Sequence, residues 1–209
     1  RTIKGMISKI LKFLYEEKMI EVNRAEIYAT AFGRRVSQLY IDPVTGITIQ
    51  DAFSHRAPFL TDISLLHMIA HTPDIFPRVR VSNTEIDKIE LFVDEHRDEF
   101  MFKKPDEGDD RIAYEEFLGE VKTGLTLKSW IEEVSEDEII GRYSVESGDL
   151  YRLIETAKWL LYASRELAML LEHKDFASPL TRLMDRVEKG VKGELLPLVR
   201  LEGVGRVRA

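Results

Sequence analysis

The sequence predicts a mainly α-helical protein: the end of a winged helix, then a helical bundle, then the start of a helix-hairpin-helix. Three observations carry this. Near the N-terminus, MIEVNRAEIYAT (19–30) holds two short β-prone runs separated by Asn23-Arg24, and a helical pattern precedes it. From Thr61 onward, apolar residues recur at helical spacing through almost everything that follows. At the C-terminus, LLPLVRLEGVGRVRA joins apolar helical positions to Gly203-Val204-Gly205 and the basic pair Arg206 and Arg208. The expected divisions are 1–58 for the winged-helix remnant with connecting helices, 59–193 for the bundle, and 194–209 for the hairpin.

The elements follow in order. Ile3, Ile7, Ile10, Leu11 and Leu14 mark a first helix, and the runs on either side of Asn23-Arg24 mark a small hairpin. Helix then hairpin is how a winged helix ends, although other small α+β units share the pattern. Gly33–Tyr40 and Pro43 to about His55 read as two short helices broken at Ile41-Asp42-Pro43. Thr61 or Asp62 caps the next helix, which stops before Pro73. Ser82, with Glu85 three residues on, has the spacing of a capping box opening a helix that runs to Phe102. Breaker-rich KKPDEGDD (103–110) follows. Separate helices are expected at 111–119, 126–134, 135–142 and, with Asp149 as cap, 148–172; a last one starts at Pro179 and ends near Lys189. The chain begins within a helical pattern and stops as the hairpin's second helix opens, so it is expected to be a piece of something longer.

Several catalytic readings fail on chemistry. GEVKTGLT (119–126) spaces its glycines as a phosphate-binding loop does, but Leu125 stands where the lysine is needed. FVDEHRDEF (92–100) sits inside an amphipathic helix, so a solvated charged face explains its acids. His67 and His71 share a helix face at i, i+4, yet neither an intervening Glu nor a nearby third ligand completes a zinc site. No catalytic residue and no metal site is assigned to the segment.

The binding signals are stronger. In a helix-hairpin-helix, glycines such as Gly203 and Gly205 let the backbone approach a phosphate, and the next helix's amides bind it, with Arg206 and Arg208 beside them. Arg182, Arg186 and Lys189 follow helical spacing, with Lys192 soon after. They fit a groove that tracks a phosphate backbone, and equally a solvated face. In the long helix, Leu150, Leu153, Ile154, Ala157, Leu160, Leu161, Leu167, Ala168 and Leu171 form one buried stripe. Trp159 falls about 140° from the centre of that stripe, and Arg152 lies on nearly the same line, ~10.5 Å away. Either another helix covers this face, or the pair is a stacking platform for bases.

Composition sets the bounds. The chain has 209 residues, 44% of them hydrophobic, so it can build real cores. It has no cysteine, which excludes disulfides and thiolate metal sites and fits a reducing cytoplasm. It contains no membrane-spanning run and no signal-peptide pattern. Its net charge of −7 is concentrated in residues 85–149, which hold 21 acidic and 8 basic side chains; the segments on either side each hold 11 basic and 8 acidic. Binding follows local charge, so the acidic middle does not forbid basic grooves at the ends.

Taken together, the residues resemble the archaeal Holliday-junction-migration helicases, superfamily-two DNA helicases related to the helicase part of DNA polymerase theta. ATAFGRRVSQLYIDPVTG (29–46) is similar to the segment after that family's winged helix. SLLHMIAHTPD (64–74) resembles the opening of its helical ratchet domain, GDLYRLIETAKWL (148–160) its ratchet helix, and LVRLEGVGRVRA (198–209) its helix-hairpin-helix. The resemblance covers essentially the whole chain, with four matches in the family's order. It implies that Arg152 and Trp159 stack single-stranded DNA, and that Arg34 and Arg35 contact DNA beside the winged helix. It also implies an ATP-dependent, three-prime to five-prime helicase acting on single-stranded and branched DNA in fork repair and recombination. ATP and magnesium would bind motor domains that these 209 residues lack, so no cofactor is expected in the segment itself. The partners implied are those motor domains and repair or replication proteins. Two rival readings remain open: a non-catalytic protein-interaction module, and part of an RNA helicase, since stacking does not read the 2′-OH.

Overall fold

The computed structural model describes residues 3–24, 26–199 and 201. Helix α1 (Ile3–Glu16) leads into an antiparallel hairpin, β1 (Ile20–Asn23) and β2 (Glu26–Ala29), with Ile20 opposite Ala29. The apolar side of α1 lies open: Ile3, Met6, Ile7 and Ile10 are all exposed. Thr30 then caps α2 (Ala31–Gln38). Its hydroxyl oxygen accepts from the Gly33 amide at 3.0 Å and donates to the Lys18 carbonyl at 2.8 Å, so one side chain starts the helix and ties it to the hairpin. The approach there is close enough to require glycine, because a Cβ on Gly33 would meet the Met19 carbonyl oxygen at 2.0 Å. Asp42 caps α3 (Pro43–Ser54), accepting from the Val44 amide at 2.7 Å, and Pro43 occupies the first turn, where a missing N–H costs nothing.

The bundle comprises α4 (Asp62–Ala70), α5 (Ile86–Glu95), α6 (Arg111–Ile131), α7 (Glu136–Tyr143), α8 (Ser147–Leu170) and α9 (Lys174–Lys189), followed by the short α10 (Leu196–Val199). Helices α8 and α9 pack along one another, and α4 crosses α6. One large core joins Phe32, Val36, Ile49 and Phe53 of α2 and α3 to Leu65, Leu160, Leu167, Phe176 and Leu180 of the bundle. A smaller core gathers Ile89, Val93, Phe100, Tyr114, Phe117 and Val121. The mainly α-helical expectation holds, and among the described residues the only sheet is the two-stranded hairpin.

Several element boundaries differ from expectation. The helices expected at 111–119 and 126–134 are one continuous α6. Its glycines do not break it, and Gly124 lets α4 pack close, since a Cβ there would lie 3.3 Å from Ile63 Cδ1 and 3.6 Å from the His67 amide nitrogen. The would-be phosphate loop is therefore helix interior. Ser82 is not a helix cap: the Glu85 carboxylate accepts from the Ser82 amide and hydroxyl and pairs with buried Lys122, so α5 begins only at Ile86. That helix also ends at Glu95, after which Arg97–Glu99 form a separate 3-10 turn anchored by the Phe59 amide on the Asp98 carbonyl and the Thr61 hydroxyl on Glu99. Helix α9 starts at Lys174, so Pro179 lies inside it; burial of Phe176, 4.7 Å from the Phe53 ring, outweighs the hydrogen bond that Pro179 cannot donate. Asp149 sits in the first turn of α8, behind Glu146 as the cap residue.

Arg186 holds three elements together. It is buried, pairs with Asp62 at the start of α4 and with Glu132 at 2.7 Å just past α6, and donates to the Ile131 and Val191 carbonyls at 3.2 Å. The expected phosphate-tracking groove through Arg186 is therefore corrected: this side chain is a buried tie.

Candidate nucleic-acid interface

Helix α8 buries Leu150, Leu153, Ile154, Ala157, Leu160, Leu161, Leu167 and Ala168 against its neighbours. This is the stripe its spacing demands, and it fixes which residues point outward. Arg152 is exposed, and its only ion pair among the described residues is with Asp149, one turn back at 2.8 Å. Exposed pairs of this kind contribute roughly 0–1 kcal/mol, so the guanidinium is free to exchange Asp149 for another partner.

Trp159 is half-buried rather than bare. It packs on the main core, and its indole Nε1 donates to the Leu39 carbonyl at 3.0 Å. Leu39 caps the C-terminal end of α2, where carbonyls lack helical partners, so donor and acceptor satisfy each other across the two helices. The two explanations of Trp159 thus meet in one residue: a neighbouring helix covers part of the indole, and the rest faces outward. Tyr40, next in sequence after Leu39, has φ 59° and is 88% exposed. Tyr151 and Tyr162 are also exposed on α8, with the Arg165 guanidinium over the Tyr162 ring at 5.5 Å. Sequence reasoning passed over these tyrosines; their signal was their position off the apolar stripe.

One turn pair beyond Trp159 on the same line is Glu166, a charge that would repel a phosphate if left free. A hydrogen bond from Arg165 and a further one from Arg35 outweigh the effect of burial and hold its carboxyl below the usual carboxylate range. Arg35 is thus engaged as a tie between α2 and α8, while Arg34 beside it is exposed. Lys192 lies 3.8 Å from Glu133 and lines a separate shallow cavity with Arg182, Glu132 and Glu194. Gly203, Gly205, Arg206 and Arg208 lie outside the described residues.

The paired histidines form part of a buried polar cluster. Glu120, itself buried, lies 2.7 Å from His71 Nδ1, 3.3 Å from Arg78 Nη2 and 3.7 Å from His67 Nε2. His67 is fully buried between the Phe100 and Phe117 rings, and neither of its ring nitrogens makes a hydrogen bond. Burial, reinforced by repulsion from His71 and Arg78, lowers its pKa from 6.5 to about 3, so it is neutral near pH 7 and its approach to Glu120 is not an ion pair. The unfolded chain binds this proton more readily, so stability is present in full above the ordinary histidine value and falls as pH drops from 6.5 toward 3. Between pH 6.5 and 5 the loss is expected to be about 2 kcal/mol. Urea denaturation across that range measures it, and His67→Leu is expected to flatten the dependence. Among the described residues, no group of three or more His, Asp or Glu is placed to hold a metal ion.

A family model described as archaeal helicase, domain 4, matches residues 63–190. The ATP-dependent DNA helicase Hel308 of Methanocella arvoryzae is 36% identical over 98% of this chain, and that of Pyrococcus horikoshii is 37% identical over all of it. The Hel308 of Thermococcus kodakarensis is 37% identical over 96%. The chain spans 28% of the length of the first two relatives and 18% of the third. With most of its bundle matched by that model and nearly its whole length by those relatives, the chain belongs to the archaeal helicase family.

Proposed function

We propose that this chain is the DNA-binding, C-terminal part of an ATP-dependent three-prime to five-prime DNA helicase, and that α8 is a ratchet helix holding the single strand. The observation that carries this reading is the line formed on α8 by a loosely held Arg152 and a Trp159 that keeps part of its surface open. Two helical turns separate them, ~10.5 Å, which is about three base steps at ~3.4 Å each. Bases stacked at the two ends would grip the strand between power strokes, with ATP hydrolysed by motor domains elsewhere in the full-length protein. The winged-helix remnant would present the open apolar face of α1 to those domains.

The test is a low-salt titration of a fluorescent single-stranded oligonucleotide, wild type against Arg152→Ala. Arg152 is exposed, so the variant is expected to keep its fold and lose about 5-fold or more in affinity. Unchanged affinity in the folded variant would favour the protein-interaction reading. Matched DNA and RNA strands in the same titration separate the two sugars.

A further inference from the structure

Phe76 is 81% exposed, although the loop that carries it is held firmly. On one side Ile75 is buried, and the Asp74 carboxylate accepts from the Asp42 amide at 2.9 Å. On the other, Arg78 donates to the Ala70, His71 and Thr72 carbonyls at 2.9, 3.3 and 3.4 Å and pairs with Glu120. The Val79 amide then donates to the Thr123 hydroxyl at 2.9 Å, and Lys122 Nζ to the Arg80 carbonyl at 2.7 Å. A chain pinned this tightly does not leave a large aromatic in water through slack. It presents the ring in a fixed place, the preorganisation that lowers the cost of binding.

Phe76 lines a cavity of about 290 Å³ together with Arg80, Arg152, Asp149, Leu153 and Thr156. That is the small end of the range for small-ligand sites, about 300 Å³, and suits one nucleotide unit. Its charge is favourable: Asp149 is already matched by Arg152, and the exposed Arg80 side chain makes no ion pair among the described residues. The groove bordering Phe76 on its other side sets Glu107, Glu115 and Glu116 against Arg78, Arg80 and Arg111, whereas the cavity sets Arg78, Arg80 and Arg152 against Asp149 alone, so the field favours a polyanion in the cavity.

We propose that this cavity is a nucleotide subsite for single-stranded nucleic acid, in which Phe76 stacks one base and Arg80 binds the adjoining phosphate. The inference rests on the reading of α8 as a strand-binding helix and extends its track to the loop after α4. The experiment titrates fluorescent oligothymidylate and an abasic strand of equal length at low salt, against wild type, Phe76→Ala, Phe76→Tyr and Arg80→Ala. Phe76→Ala is expected to weaken oligothymidylate binding about 5-fold or more, Phe76→Tyr to restore it, and the abasic strand to show no difference between them. Arg80→Ala is expected to weaken binding to both strands and to make the salt dependence shallower by about 1. If the wild type binds and Phe76→Ala binds equally well, the subsite is overturned and the α8 reading survives. If the wild type does not bind, both fall.

Discussion

Trp159→Ala is expected to lower single-strand affinity about 5- to 150-fold and, separately, to destabilise the fold by about 2 kcal/mol. The first figure is the loss of one stacking platform, ~1–3 kcal/mol per base. The second follows from the indole's place against the main core and its bond to the Leu39 carbonyl; it is set below the ~3–5 kcal/mol of a fully buried tryptophan because the side chain is not wholly covered. The two effects separate with Trp159→Phe, which keeps an aromatic face and loses the N–H. That variant is expected to bind within a few-fold of wild type while still losing stability. Urea denaturation measures the stability, and titration well below the unfolding transition measures affinity on folded protein. A Trp159→Phe variant as weak as Trp159→Ala would assign the binding loss to the indole N–H rather than to stacking.

Arg186→Ala is expected to destabilise the protein by about 3 kcal/mol. The side chain is buried and serves two carboxylates and two carbonyls, so its removal strands polar groups at the junction of α4, α6 and α9. Breaking a wholly buried pair costs ~3–5 kcal/mol; Asp62 and Glu132 are each 40% exposed, and water recovers part of that. Arg186→Lys is expected to rescue little, because a single ammonium cannot reach four acceptors arranged around a planar fork. Unfolding measures the loss, and single-strand affinity of the folded fraction is expected to stay unchanged. A stable variant with weakened DNA binding would instead return Arg186 to a phosphate-tracking role.

Much of the fold was legible because local signals and tertiary packing agree. The expected break at Ile41-Asp42-Pro43, the cap at Thr61 and the helix start at Ser135 all hold, and Asn23-Arg24 marks the hairpin turn. The misread boundaries are places where distant partners override local rules. Gly119 and Gly124 read as breakers, but both lie inside α6, and the lack of a side chain at Gly124 is used by α4, which packs against it. Pro179 read as a helix start, yet burial of Phe176 carries the helix backward past it. The site was legible in direction only. Helical spacing put Arg152 and Trp159 on one line, but nothing local revealed that α2 would cover part of the indole, or that Arg35 would be engaged by Glu166, 131 residues away. Phe76 was invisible because exposure of a loop aromatic depends on which of its neighbours the fold turns inward.

The central claim is that bases stack on Trp159, and the protein's own fluorescence tests it. The chain has two tryptophans, and the other, Trp130, donates its indole N–H to the Val187 carbonyl at 2.8 Å within the bundle. In a Trp130→Phe background, all remaining tryptophan emission comes from Trp159. Titrating unlabelled oligothymidylate, with binding followed in parallel by anisotropy of a labelled strand, is expected to quench that emission saturably with the same midpoint as binding. Saturable binding with Trp159 emission unchanged would contradict the stacking account.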